Sequence, residues 1–159
     1  MQETLTVIRR ADPSEAGLLS DLAFRSKAVW GYDDAFMARC RAELTLAPDF
    51  VRQNPVFVVE AEGRIRGFYS LERRSADIVD LGHLFLEPAD RGRGLGRRLV
   101  EHACEQACSL GGRRLRIEGD PNAEAFYAAC GAKRIGAVPS GSIPGRELPL
   151  FEIELADRL

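Results

Sequence analysis

The chain has 159 residues, 45% of them apolar and 29% charged, with a formal net charge of −2 and a sequence pI near 5.8. That length suits one α/β or α+β domain over residues 1–159, with room for one sizeable core. The near-neutral balance excludes a global field drawing the protein to nucleic acid or an anionic membrane, and no apolar run approaches the length that spans a bilayer. The N-terminal segment MQETLTVIRRAD lacks a signal-peptide core, so a cytoplasmic, reducing setting is expected. Cys40, Cys104, Cys108 and Cys130 show no paired close spacing and read as reduced core thiols. Cys104 and Cys108 could share a helix face, but neither histidine stands at a comparable spacing, and no metal site is expected.

Residues 4–9 alternate and carry β-branched side chains, which predicts a first strand. Asp12-Pro13 opens a helix whose inward positions, Ala16, Leu18, Leu19, Leu22, Ala23, Ser26, Val29 and Trp30, recur at helical spacing until Gly31. Trp30-Gly31-Tyr32 is then a turn bearing two large aromatics. A second helix is predicted over 34–44, and Pro48 is expected to end that region. Residues 55–61 and 65–71 form a hairpin around Glu62-Gly63-Arg64. The run 78–86 is apolar on both faces and predicts a central strand covered on both sides. A helix follows to Gly111-Gly112, then a short strand at 115–118 and a helix at 122–130 closed by Gly131. Strands at 133–138 and 148–155 flank a final loop at 139–149.

The most informative stretch is residues 81–96, LGHLFLEPADRGRGLG, in which a strand runs through Pro88 into glycines 92, 94 and 96 and a helix start. A helix N-terminus offers unpaired N–H groups and the positive end of a dipole, and glycines let an anionic group approach the backbone. A dinucleotide-binding fold would place such glycines after its first strand, and a Walker loop ends in Gly-Lys-Ser/Thr where this chain has Gly96-Arg97-Arg98. The pattern Arg91-x-x-Gly94-x-Gly96 after LFLEP, with Asp120-Pro121-Asn122-Ala123 and Ala125-Phe126-Tyr127 ending in Cys130-Gly131-Ala132, resembles the GNAT superfamily of acyl-CoA-dependent N-acetyltransferases. The resemblance covers residues 78–138.

That resemblance implies a mixed, mostly antiparallel sheet of about seven strands, splayed between strands 4 and 5 and flanked by about four helices. It implies acetyl-CoA as co-substrate, with the pantetheine along Leu84, Phe85 and Leu86, and the pyrophosphate on the backbone of Arg91, Gly92, Arg93, Gly94, Leu95 and Gly96. Arg91, Arg93 and Arg97 are then available to phosphates. Asn122 matches a pantetheine-binding position, although it would equally serve as a helix N-cap, and Phe126 would pack beside the arm. Tyr127 matches the family's general-acid tyrosine, the other reading being an aromatic core residue. The backbone N–H near Leu84 would polarise the thioester carbonyl.

The general base is open between two residues. Asp80 lies where family members with a base on this strand carry it, while His83 has the better unperturbed pKa but, among Leu81, Leu84 and Phe85, also reads as a satisfied core histidine. Strand alternation groups Asp80, Gly82, Leu84 and Leu86 on one face and Leu81, His83 and Phe85 on the other. Acceptor contacts are expected from Trp30, Tyr32, Tyr69, Glu72 and the loop at 140–146. The acceptor itself is an amine on a small molecule or a peptide. Neither nucleic acid nor membrane is expected as a partner, and a homodimer is left open. Two rivals remain: a non-catalytic acyl-CoA sensor on the same fold, and a nucleic-acid module using the basic clusters 91–98 and 113–116.

Overall fold

The computed structural model describes residues 5–155. In chain order its elements are β1 (Thr6–Arg10), α1 (Ala16–Ala28), α2 (Asp34–Leu44), α3 (Pro48–Gln53), β2 (Val56–Ala61), β3 (Arg64–Arg73), β4 (Ile78–Leu86), α4 (Leu95–Ser109), β5 (Arg114–Glu118), α5 (Glu124–Ala129), β6 (Lys133–Pro139) and β7 (Glu147–Glu154). Local chemistry sets several boundaries. Asp12 accepts the Ser14 N–H at 2.9 Å while the Glu15 carboxylate accepts the Asp12 N–H at 2.8 Å, a reciprocal cap ahead of α1. Asp33 accepts the Phe36 N–H at 2.8 Å and starts α2 at the predicted residue.

Two expectations change. Pro48 begins a helix instead of closing the region, because a proline at the first helical position gives up an N–H that has no partner there anyway. The β2–β3 hairpin turns on two residues, Glu62 and Gly63, both with positive φ (55° and 72°), and Ala61 pairs with Arg64.

The strands form a seven-stranded sheet in the order β1-β2-β3-β4-β5-β7-β6. The pairs β1–β2, β2–β3, β5–β7 and β6–β7 are antiparallel, whereas β4 and β5 are parallel and are joined by the crossover helix α4. The parallel register joins Ile78–Leu81 to Arg114–Ile117, yet β4 runs on to Leu86. This is the expected splay.

The described chain divides into two compact units, one built from residues 5–70 and 83–99, the other from 71–82 and 100–155. In the first, Leu19, Leu22, Val51, Val58 and Phe68 are fully enclosed. In the second, Leu115, Ile117, Phe151 and Ile153 are buried with Ala103, Cys104 and Ala107 of α4.

Gly67 lies where β3 meets the end of β4: a Cβ there would stand 2.8 Å from the Phe85 carbonyl oxygen and 2.5 Å from the Leu86 Cδ2. Because one of those atoms is backbone, Gly67→Ala should cost about 1–3 kcal/mol by overpacking, read as a lower urea midpoint with unchanged slope. A midpoint equal to wild type would contradict this packing.

Candidate active site

In the first unit, β4 leads into a turn that positions the glycine loop. The Glu87 N–H donates to the Arg66 carbonyl at 2.8 Å and the Asp90 N–H to the Glu87 carbonyl at 2.9 Å. Gly92 and Gly94 then take φ of 78° and 80°, a conformation that strains residues with a Cβ. The Arg98 N–H donates to the Gly94 carbonyl at 3.2 Å, so the amides of Leu95, Gly96 and Arg97 lie ahead of the helical hydrogen-bond ladder of α4. Backbone amides and the positive end of a fifteen-residue helix meet at this loop, an arrangement suited to phosphate oxygens.

The arginines divide the work differently from the sequence expectation. Arg91 is committed elsewhere: its Nη2 donates to the Ser26 carbonyl at 2.8 Å and its guanidinium lies 4.5 Å from the Trp30 ring centroid. Its side chain is therefore not held ready for phosphate. Arg93 is exposed and pairs loosely with buried Asp90 at 3.7 Å, opposite Arg66 at 3.6 Å, and Arg97 is exposed on the first turn of α4. Leu84, Phe85 and Leu86, beyond the end of the β5 pairing, are each only half-buried.

His83 stands on the face of β4 that meets Phe68 and Ser70, together with Phe85. The buried Ser70 hydroxyl donates to Nδ1 at 2.7 Å, and Nε2–H donates to the Glu43 carbonyl at 3.3 Å, the ring tautomer being fixed by these partners. Burial pushes its pKa below the ordinary imidazole value, and the Glu43 carbonyl opposes that shift. Both nitrogens of a neutral ring are thus engaged.

Three acceptor-side aromatics also lie in this unit. Trp30 faces Arg91. Tyr32 stacks on Phe36 at 4.1 Å under the Lys27 ammonium. Tyr69 is a correction: it has no exposed surface and stacks on Phe57 at 5.5 Å, a core position fixed by the cross-strand pair Phe57–Tyr69.

In the second unit Tyr127 is set by the turn that precedes α5. Asp120 caps it, accepting both the Asn122 N–H and the Asn122 Nδ2 at 2.9 Å, while Arg146 of the β6–β7 loop stands 3.6 Å from its other oxygen. The cap is therefore Asp120, and Asn122 is exposed beside it. The Tyr127 ring packs on Phe151 at 5.4 Å and on half-buried Phe126 at 5.1 Å. Burial raises the phenol pKa far above its usual value, and electrostatic coupling to Cys130 and Asp120 acts in the same direction, so Tyr127 keeps its proton throughout the physiological range. Gly119 makes room for it, since a Cβ would lie 3.1 Å from the Tyr127 Cε2 and 2.9 Å from the Phe151 Cε2.

Asp80 has both carboxylate oxygens 2.9 Å from the Arg74 Nε, and Arg74 also reaches Glu118 at 3.8 Å. Glu72 is exposed at the outer end of β3. The second basic cluster is neutralised in place: Arg113 faces Asp77 at 3.8 Å, Arg114 faces Glu154 at 3.9 Å and Arg116 binds Glu152 at 2.7 Å. Among the described residues no group of three His, Cys, Asp or Glu side chains is placed to hold a metal ion, and no helix is long and apolar enough to cross a membrane. Ser70, Arg74 and Gly119 escaped the sequence reading and carried no signal in it, whereas Ser26 stood in the stripe of α1 and Arg146 in the loop at 140–146, each without its partner being foreseen.

Residues 52–131, half of the chain, match the family model described as an acetyltransferase (GNAT) domain. The chain belongs to the GNAT acetyltransferase family, and it is an acyl-CoA-dependent N-acetyltransferase. It is 29% identical to 5-NmdU N-acetyltransferase of Pseudomonas phage PaMx11 over 93% of this chain and 99% of that one. It is 30% identical to mycothiol acetyltransferase of Rhodococcus jostii (strain RHA1) over 93% of this chain, which spans only 46% of that relative. In fold it is similar to PaiA N-acetyltransferase from Thermoplasma acidophilum in complex with coenzyme A, with a TM-score of 0.76 at 16% identity, covering 94% of this chain and 99% of that one.

Two measurements check this geometry. Gly119→Ala should cost about 1–3 kcal/mol by crowding the Tyr127 and Phe151 rings, read as a lower urea midpoint with unchanged slope; an unchanged midpoint would contradict this fit. For His83, whose folded-state pKa is depressed, the stability from the neutral ring is full above the unfolded value of about 6.5 and is lost as pH falls through the lowered one. The stability gap between wild type and His83→Gln should therefore narrow from about pH 8 to pH 4 in urea titrations, and a constant gap would contradict it.

Proposed function

We propose that the protein transfers an acetyl group from acetyl-CoA to a primary amine, on a small molecule or a peptide, by direct attack within a ternary complex. The observation that carries this reading is the loop of Arg91–Gly96, where two left-handed glycines lead into α4 and its first amides lie ahead of the helical hydrogen-bond ladder. Pyrophosphate is assigned to those amides, with Arg93 and Arg97 at its edge. The pantetheine is assigned to the half-buried run Leu84, Phe85 and Leu86, with Asn122 and Phe126 as its further contacts.

The chemistry needs a neutral amine, a polarised carbonyl and a proton for sulfur. The amine lone pair forms the new C–N bond as the C–S bond breaks, and the Leu84 N–H is assigned to the carbonyl oxygen. Tyr127, held protonated by burial, donates toward the sulfur as charge develops there. The proton released from the amine passes to Asp80 through water, and its return through solvent from Asp80 to the Tyr127 phenolate closes the cycle. Asp80 is preferred to His83 because its carboxylate oxygens keep further lone pairs beside Arg74, whereas each His83 nitrogen is already engaged and its proton affinity is lowered. The two curated relatives are named for different acceptors, so the amine class is kept broad. The setting we propose is the cytoplasm, where the four cysteines remain thiols.

Acetyl-CoA should raise the melting temperature, and an amine panel read by free-thiol release should identify an acceptor. With that acceptor, Tyr127→Phe should lower kcat about 10²-fold or more with CoA affinity nearly unchanged. No stabilisation by millimolar acetyl-CoA would overturn the donor assignment, and full turnover by Tyr127→Phe would remove the phenol from the mechanism.

A further inference from the structure

Arg91 opens the glycine loop, yet its side chain points to helix α1. That helix tightens as it ends, with the Trp30 N–H returning to the Lys27 carbonyl and the Gly31 N–H to the Ala28 carbonyl, both at 3.2 Å. In a continuing α-helix the Trp30 N–H would serve the Ser26 carbonyl, so the tighter turn leaves that oxygen needing another donor. Arg91 Nη2 supplies it at 2.8 Å and also reaches the Ser26 Oγ at 3.3 Å, in a residue only 3% exposed. A cation at a helix C-terminus is favoured by the dipole as well. Trp30, itself 41% exposed, covers the guanidinium at 4.5 Å, a cation–π distance. Next to Ser26, Arg25 binds Glu87 at 2.5 Å, so the last turn of α1 grips the segment before the loop at both ends.

We infer that Trp30 and Arg91 are positioning residues for the donor: Arg91 caps α1, Trp30 holds Arg91 there, and the pair pre-orders the loop that receives the CoA pyrophosphate. This rests on the donor assignment made above. The loop needs such an anchor because Gly92 and Gly94 give it freedom that binding must otherwise remove. Coupling is reciprocal, so CoA on the loop stiffens the Trp30-Gly31-Tyr32 turn in return. Trp30 thereby moves from the acceptor list to the donor side without touching CoA.

Trp30 is the chain's one tryptophan, so its emission reports on the clamp directly. CoA affinity should be measured by calorimetry for wild type, Trp30→Phe, Trp30→Ala, Arg91→Lys and the Trp30→Ala/Arg91→Lys double variant, with tryptophan fluorescence followed in wild type. The inference expects CoA to alter Trp30 emission, Trp30→Ala and Arg91→Lys each to weaken CoA binding about tenfold, and Trp30→Phe to restore most of the affinity. The double variant should bind no worse than the weaker single variant, because both remove one device. Unchanged CoA affinity in Trp30→Ala, additive losses in the double variant, or calorimetric binding with no change in Trp30 emission would each overturn it. Failure of wild type to bind CoA would instead overturn the donor assignment on which it stands.

Discussion

The parallel hydrogen bonding between β4 and β5 joins only Ile78–Leu81 to Arg114–Ile117, and the remainder of β4 continues without that neighbour to Leu86. A strand that loses a ladder partner midway keeps backbone donors and acceptors for something else. In this chain the continuation is apolar and half-buried, and it runs straight into the glycine loop and α4. The fold thereby places an extended, adhesive backbone edge immediately before an anion-binding helix end, the two features that a thioester on a phosphorylated arm requires.

The phosphate-binding capacity belongs mainly to the backbone. Seven glycines take positive φ in the described chain, and the two at 92 and 94 are those that bend the loop toward the α4 terminus. Arg91, whose charge would suit a phosphate, caps another helix instead, and Asp90 lies buried between Arg66 and Arg93. Side-chain charge around the loop thus organises its shape, while the amides are the groups proposed to meet the ligand. The chemistry assigned to the second unit follows a similar division. Gly119, Asp120 and Arg146 fix the setting of α5, and burial keeps Tyr127, the proposed proton donor, protonated.

Features with short-range causes were readable in the sequence. Asp12-Pro13 announced the first helix, the runs at 55–61 and 65–71 around Glu62-Gly63-Arg64 announced a hairpin, and Arg91-x-x-Gly94-x-Gly96 with Phe126-Tyr127 announced the family. Features that depend on distant partners were hidden. Arg91 meets Ser26 across sixty-five positions, and the apolar stripe of α1 gives no hint that one of its carbonyls will lack an amide. Tyr69 reads as a polar-tipped aromatic near an acceptor until Phe57 is seen opposite it in a closed core. Pro48 carries the same letters whether it ends one helix or starts the next, and only the chain beyond it decides.

The central claim is that the backbone of β4's free end and of the glycine loop receives CoA. Amide chemical shifts followed by NMR during titration with CoA test it residue by residue. The account predicts that the largest changes, with slowed hydrogen exchange, fall on the amides of Leu84, Leu86 and Gly92–Arg97. Binding that leaves those amides unmoved and shifts others instead would contradict it.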